Sequence, residues 1–334
     1  MEYRVLGKTG LRVSEVGFGC GSVGGLMIRG KHEEQVEAVR LALGLGINYF
    51  DTAPSYGNGQ SEANLGKVLH ELKPKDVVVA TKLELRGEDL GNIRGAVKRS
   101  LKESLSRLRR DSVDVLLLHP QVSMTRGGVC AGALGVDDLL GAGGVADAFD
   151  EARSKGLIRF CGFTGIGETE ALHRVIVSGR FDLVQAYYNL LNPSAGIRVP
   201  PGFVGHDFKL LIRRAYERGI GVAAIRVLAG GALGGEAARK GYASSTPSAL
   251  VGDTDYGMDS NRAERLQFLV SGGMNIPQAA IRFALMNEEV STVLVGFSDV
   301  HQIEEAASCF GREPFQEEWM DRLQGLWATD FGRR

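Results

Sequence analysis

Eight short apolar runs, each followed by a stretch of helical period, constrain this chain more than any other feature. They are Val16–Gly19, Asn48–Asp51, Val77–Lys82, Val113–Leu118, Ile158–Phe163, Leu183–Ala186, Gly221–Ile225 and Thr292–Val295. The runs do not alternate with polar residues, which is the pattern of parallel strands covered on both faces. Helices are expected at Glu33–Leu45, Ser61–Leu72 with Ser61 as N-cap, Leu90–Leu108, Val145–Ser154, Glu168–Ser178, Asp207–Arg218, Ser260–Val270, Ile276–Met286 and Val300–Phe310. Residues 3–14 read as a hairpin around the Gly7-Lys8-Thr9-Gly10 turn, and Phe315–Ala328 as a closing helix. This alternation points to an α/β fold, a (β/α)8 TIM barrel spanning 1–334 as one domain, with an N-terminal β-hairpin and extra C-terminal helices. A doubly wound sheet is the competing arrangement.

Composition narrows the function. The 334 residues are 44% hydrophobic with a net charge of -1, enough for a large core. Charges of both signs are interspersed and no basic stripe exists, so nucleic acid is not an expected partner. No apolar run approaches the roughly 18–20 residues of a membrane span, so no membrane partner is expected. The first ten residues are charged and lack a signal-peptide apolar segment, so a cytoplasmic protein is expected. Cys20, Cys130, Cys161 and Cys309 lie far apart, without the spacing of a metal site. No metal is expected. The 46 glycines cluster in loops, as in a site built from loops on a regular scaffold.

In a barrel the active site forms at the strand C-termini. Asp51 ends the second strand, Lys82 the third and His119 follows the fourth; Gln185 lies near the end of the sixth. Tyr56 sits five residues after Asp51 in a Pro/Gly loop. A tyrosine has an ordinary pKa of about 10, and a lysine ammonium against its hydroxyl lowers it. A buried lysine needs a counter-ion, and Asp51 suits that role. A histidine can orient a carbonyl oxygen or share in proton transfer. The set suits proton transfer to an oxygen whose carbon receives a hydride. No side chain delivers hydride, so a nicotinamide or flavin is required.

Those residues sit in longer matching segments. Asn48-Tyr-Phe-Asp-Thr-Ala-Pro-Ser-Tyr-Gly57 with Ser61-Glu62 and Leu65-Gly66 resembles the signature of the aldo-keto reductase superfamily. So do the Leu6–Ser14 hairpin, Ala80-Thr-Lys82, Asp114–His119, Gln185-Ala-Tyr-Tyr-Asn189 and Val293–Ser298 with Gln302 and Glu305. The resemblance implies a catalytic tetrad of Asp51, Tyr56, Lys82 and His119. Tyr56 would be general acid in reduction and base in oxidation, tuned by Lys82 and Asp51. His119, its backbone biased to extended angles by Pro120, would orient the carbonyl.

The resemblance also implies an extended nicotinamide dinucleotide. Gln185 and Thr164 would hold the carboxamide beside Asp51. Arg226, Leu228 and Gly296 would line its path, and Ser298, Gln302 and Glu305 would bind the adenosine end. Many members carry Arg where Gln302 stands, Lys where Glu236 stands, and Tyr or Trp where Ile225 stands. The positive charge for a 2′-phosphate would then fall to Arg226, Arg239 or Lys240. NADP(H) is slightly favoured over NAD(H). Gly162-Phe-Thr-Gly165, Leu294–Ser298 and Glu236 resemble the L-galactose dehydrogenase type of sugar dehydrogenase, a branch that uses NAD. The expected partner is a small carbonyl or sugar substrate, in a pocket built by loops 22–31, 121–143 and 189–205. Tyr187, Tyr188, Phe203, Trp319 and Trp327 are its candidate walls. A cofactor-holding regulatory subunit on the same barrel, like the potassium-channel β subunits, is the alternative. The sequence carries no signal for a particular oligomeric state.

Overall fold

The computed structural model describes residues 1–235, 241–244, 255–270, 273–309 and 314–333. Glu236, Arg239, Lys240 and Phe310 lie outside the described residues. The chain starts with an antiparallel hairpin, β1 (Tyr3–Val5) against β2 (Arg12–Ser14). Then come β3 (Val16–Gly19), β4 (Tyr49–Asp51), β5 (Val78–Leu83) and β6 (Val113–Leu118). A two-stranded parallel ribbon, β7 (Val122–Ser123) and β8 (Leu134–Gly135), interrupts the series. It resumes with β9 (Ile158–Gly165), β10 (Leu183–Tyr187), β11 (Gly221–Ile225) and β12 (Thr292–Gly296). β3, β4, β5, β6, β9, β10, β11 and β12 close into one barrel, each pairing in parallel with its neighbours in chain order. The barrel expected from the apolar runs is present, and the doubly wound alternative is not. No helix of the described residues is long and apolar enough to cross a membrane.

Successive strand side chains point to opposite faces. Two buried clusters record that alternation. Phe18, Phe50, Val79, Leu83, Leu116, Leu118 and Phe163 face outward and pack with the surrounding helices. Tyr49, Val78, Ala80, Val115, Leu117, Leu183, Ala223 and Leu294 fill the barrel together with Leu6, Leu11 and Val13 of the hairpin. The hairpin therefore closes one mouth of the barrel. Its turn approaches β11 so closely that a Cβ on Gly7, at φ +51, would lie 2.2 Å from the Gly221 nitrogen. The inward set steps by two toward the other mouth: Tyr49 to Asp51, Ala80 to Lys82, Leu183 to Gln185. The polar residues are thus the last inward layer at the strand C-termini.

Several local expectations change. The helix after β4 runs Gln60–Leu72 and starts from Gly59 at φ 87, so Ser61 is not its cap. The Ser61 hydroxyl instead donates to the Cys20 carbonyl at 2.9 Å and meets Thr52 Oγ1 at 2.8 Å. The expected helix Leu90–Leu108 divides at Asn92, whose side chain caps Ile93–Leu108 by accepting from the Gly95 amide. Only Leu211–Tyr216 of the expected Asp207–Arg218 is helical. Lys209 and Leu210 hold positive φ there, which stops the helix from starting earlier. Segment 121–143 is partly structured, with the β7–β8 ribbon, a helix at Val136–Leu140 and an Arg126–Asp138 ion pair at 2.5 Å. Trp327 is buried in the closing helix Glu317–Ala328 and donates to the Leu190 carbonyl at 2.8 Å. It and Tyr188, which stacks on Phe283, are core residues rather than free pocket walls.

One buried charge outside the barrel mouth ties β5 to two helices. Glu62 is fully buried, accepts from Thr81 Oγ1 at 2.5 Å and pairs with Arg107 Nε at 2.6 Å. Removing one partner of a buried pair leaves an uncompensated charge. Arg107→Met is therefore expected to cost about 3 kcal/mol, read as a lower urea midpoint at unchanged m. Adding Glu62→Gln to that variant is expected to recover part of the loss.

Candidate active site

Lys82 is the centre of the site. It is 1% exposed, and its ammonium donates three hydrogen bonds: to Asp51 Oδ1 at 2.5 Å, to the Thr52 carbonyl at 2.9 Å and to the Tyr56 hydroxyl at 3.1 Å. All three ammonium protons are thereby used. Strand geometry sets this up. Asp51 pairs in register with Ala80, so Lys82 lies one inward step further along the neighbouring strand. The Pro/Gly loop after β4 then turns Tyr56 back over the mouth. Tyr56 is half-buried there, and its hydroxyl accepts from Lys82 Nζ.

The electrostatics depart from the sequence expectation in one respect. Burial pushes the Tyr56 phenol upward, Lys82 pulls it down and Asp51 pushes it up again; the net direction is upward. Lysine proximity alone implied a lowered value, but burial outweighs the ammonium, and Asp51 adds to the rise. Tyr56 is consequently a phenol at neutral pH. For Lys82, burial disfavours the charge, but Asp51 first and then Tyr56 outweigh it and raise the pKa above the ordinary lysine value. Burial also pushes up the Cys20 thiol beside this pair, so it is not a thiolate nucleophile.

His119 follows β6 directly, and its amide donates to the Leu83 carbonyl at 3.0 Å. Its ring stands edge-on to Tyr56, with centroids 5.6 Å apart at 85°. Its Nδ1 bonds the carboxylate of Glu84 and lies 3.3 Å from Ser55 Oγ. Glu84 was absent from the sequence reading. The signal was available: it lies two residues after Lys82, and Leu83 pairs with Leu118, which sets Glu84 beside His119.

The expected dinucleotide residues form two groups. Gln185 pairs in register with Thr164, and its amide donates to Asp51 Oδ2 at 2.5 Å. Thr164 Oγ1 is buried without a hydrogen-bond partner. An unpaired buried hydroxyl beside an amide suits a ligand carboxamide, so these residues fit the expected cofactor. The second group is at the end of β12. Gly296 pairs with Gly19, which in turn pairs with Asp51, so this group begins two strands from Asp51. Gln302 Oε1 accepts from the Ser298 amide at 2.8 Å and its hydroxyl at 3.2 Å, and Glu305 accepts from the Asn275 amide. Arg226 and Leu228 follow β11; Arg226 has φ 55 and its carbonyl accepts from Asn189 Nδ2 at 2.9 Å.

Residues 15–328 match the model of the aldo/keto reductase family. The chain belongs to that family. Among its relatives, an L-galactose dehydrogenase of Arabidopsis thaliana is 33% identical over 312 residues, covering 91% of this chain and 86% of the relative. A probable voltage-gated potassium channel subunit beta of Oryza sativa subsp. japonica is 28% identical over 329 residues, covering 91% and 90%. The solved holo structure of an aldo-keto reductase from Bacillus halodurans superposes with a TM-score of 0.71 at 23% identity, covering 98% and 96%. This aldo-keto reductase is thus an NAD(P)-dependent oxidoreductase, and its closed barrel is the family's fold.

The Asp51–Lys82 pair yields a stability test with a definite sign. The folded pKa of Lys82 is raised, so the pair's contribution is complete below the ordinary lysine value of about 10.4 and is lost as pH rises through the folded value. Asp51→Asn removes the strongest influence opposing burial, which is already the largest one, so the folded value is expected to fall below the ordinary lysine value. That variant is expected to lose about 3–5 kcal/mol at neutral pH, with the deficit shrinking as pH rises toward 10. Urea unfolding at several pH values measures it.

Proposed function

We propose that this aldo-keto reductase interconverts a carbonyl and an alcohol on a small polar substrate of the sugar class, with Tyr56 moving the proton. The observation that carries the reading is the contact chain Asp51–Lys82–Tyr56 at the mouth of the barrel, closed by His119. The enclosed Tyr56 phenol has a proton to give to a carbonyl oxygen. The phenolate left behind is stabilised by the ammonium that already touches it. In the reverse direction the same oxygen takes the proton back. Asp51 keeps Lys82 charged through both, and His119 fixes the substrate oxygen.

Gln185 and Thr164 would hold the nicotinamide end of the cofactor, beside Asp51. Gly296, Arg226 and Leu228 would line its middle, and Ser298, Gln302 and Glu305 its adenosine end. When bound, the dinucleotide supplies or accepts the hydride. We favour NAD(H), against the slight lean of the sequence toward NADP(H). Support comes from the adenosine end: Gln302 is neutral and committed to Ser298, and Glu305 is a carboxylate, so neither can pair with a phosphate dianion. The sugar class is supported by the L-galactose dehydrogenase relative. The channel-subunit relative keeps a cofactor-holding regulatory role as the second reading.

Tyr56→Phe separates the two. It is expected to bind NADH like the wild type, by quenching of reduced-nicotinamide fluorescence, while hydride transfer to an aldose falls about a thousandfold. In both proteins NADH is expected to bind more tightly than NADPH. Equal turnover in Tyr56→Phe would remove the tyrosine from the chemistry. Cofactor binding with no turnover in the wild type would favour the regulatory role.

A further inference from the structure

The wall of the mouth that faces Tyr56 from the far side carries a carboxylate that the proton transfer does not use. Around the closed barrel, β11 stands opposite β5, which bears Lys82, and β10 stands opposite β4, which bears Asp51. The bond from the Gln185 amide to Asp51 already spans that width. Two residues beyond Gln185, Tyr187 ends β10 on the same face of the strand and pairs in register with Ile225 of β11; Arg226 follows. The helix Tyr256–Ala263 brings Asp259 to these two strand ends. Its charge is the leading one acting on Tyr187, and the charge of Arg226 reaches Asp259 and Tyr56 alike.

Asp259 is held from behind and left underused in front. Arg262, one turn on, donates to Asp330 of the C-terminal segment at 2.7 and 3.0 Å, but to Asp259 Oδ1 only at 3.3 Å. Among the described residues the Asp259 side chain has no other hydrogen-bond partner, although it is only 15% exposed. Burial pushes its carboxyl up by more than Arg262 draws it down. A carboxylate accepts about four hydrogen bonds, so this one has left water for a single long bond and keeps capacity to spare. Two neighbouring hydroxyls can fill that capacity by donating to its oxygens. An alkyl chain would leave it unpaired, and an anionic group would be repelled. We propose that Asp259 is a specificity-determining residue: its carboxylate accepts hydrogen bonds from substrate hydroxyls remote from the reacting carbon. Tyr56 and His119 then hold the reacting end, Asp259 holds the far end, and the Arg262–Asp330 pair positions Asp259. The site selects polyhydroxylated lactols and aldehydes over plain ones. This inference rests on the carbonyl–alcohol reading above and names the part of the site that recognises the sugar.

Two measurements on the full-length protein test it, with Asp259→Ala and Asp259→Asn. Arg262 keeps its bonds to Asp330 in both variants, so the helix stays tied to the C-terminal segment. The first measurement compares kcat/KM for the NAD-linked oxidation of galactose, in both enantiomers, and of 2-hydroxytetrahydropyran, a lactol with the same ring and no further hydroxyl. The wild type is expected to prefer the better galactose enantiomer by about a hundredfold. That preference is expected to shrink about thirtyfold in Asp259→Ala, chiefly through the KM for galactose. It is expected to shrink less in Asp259→Asn, whose carbonyl oxygen still accepts. An unchanged preference in Asp259→Ala, whether both rates hold or both fall together, overturns the proposal. The second measurement needs no turnover: galactose binding to the NADH-bound protein, titrated by saturation-transfer NMR. Binding is expected to weaken about tenfold in Asp259→Ala. Equal binding by wild type and variant, or none by either, overturns the proposal. Failure to oxidise either lactol would count against the carbonyl–alcohol reading, and the binding comparison would still decide the role of Asp259.

Discussion

The structure depends on one ion pair held out of water. Lys82 and Asp51 are almost fully buried and touch at 2.5 Å at the mouth of the barrel. Such a pair is a poor source of stability, because desolvating two charges offsets most of their attraction. Its value here is positional. Once Asp51 and the Thr52 carbonyl take two of the ammonium's protons, the third has one partner left, the Tyr56 hydroxyl. The pair also explains why Tyr56 remains a phenol. Burial is the largest influence on the phenol, and Asp51 adds to the rise that Lys82 opposes.

Everything else at the mouth follows from strand register. The apolar residues of one inward layer become, two residues later, the polar residues of the next. The hairpin seals the opposite mouth with Leu6, Leu11 and Val13, so the barrel is a packed core beneath the site rather than a channel through it. On the outer face of β5, Thr81 donates to the buried Glu62 of one helix, which pairs with Arg107 of the next, and this fixes the helices against the strand that bears Lys82. A shift of β5 by one residue would exchange the two faces and disrupt the Lys82–Asp51 pair and the Thr81–Glu62 hydrogen bond together.

Much of this was legible because strands and chemistry mark the chain in different ways. Strands appear as apolar runs, and residues of the site appear where a run ends on a polar side chain. Asp51 and Lys82 satisfy that rule, His119 directly follows a run, and Gln185 lies one residue before the end of one. Glu84 does not, because the apolar run ends at Lys82 while the strand continues through Leu83. Ser61 was misassigned because its residue type suits a cap, whereas Gly59, with its positive φ, is where the helix starts. The helix expected from Asp207 was overestimated because nothing in residue type announces the left-handed backbone at Lys209 and Leu210. The direction of the Tyr56 shift was misjudged for a different reason: it is a balance of burial and two opposite charges, and sequence supplies the charges without the burial.

The central claim is that this mouth passes a hydride directly to a substrate carbon while Tyr56 supplies the proton. Following a label tests it most directly. Reduction of an aldose should be run with reduced dinucleotide deuterated at C4 of the nicotinamide, and the product examined by mass spectrometry and proton NMR. The account requires one deuterium on the new carbinol carbon and a hydroxyl proton that comes from water. A product free of deuterium at that carbon would contradict it.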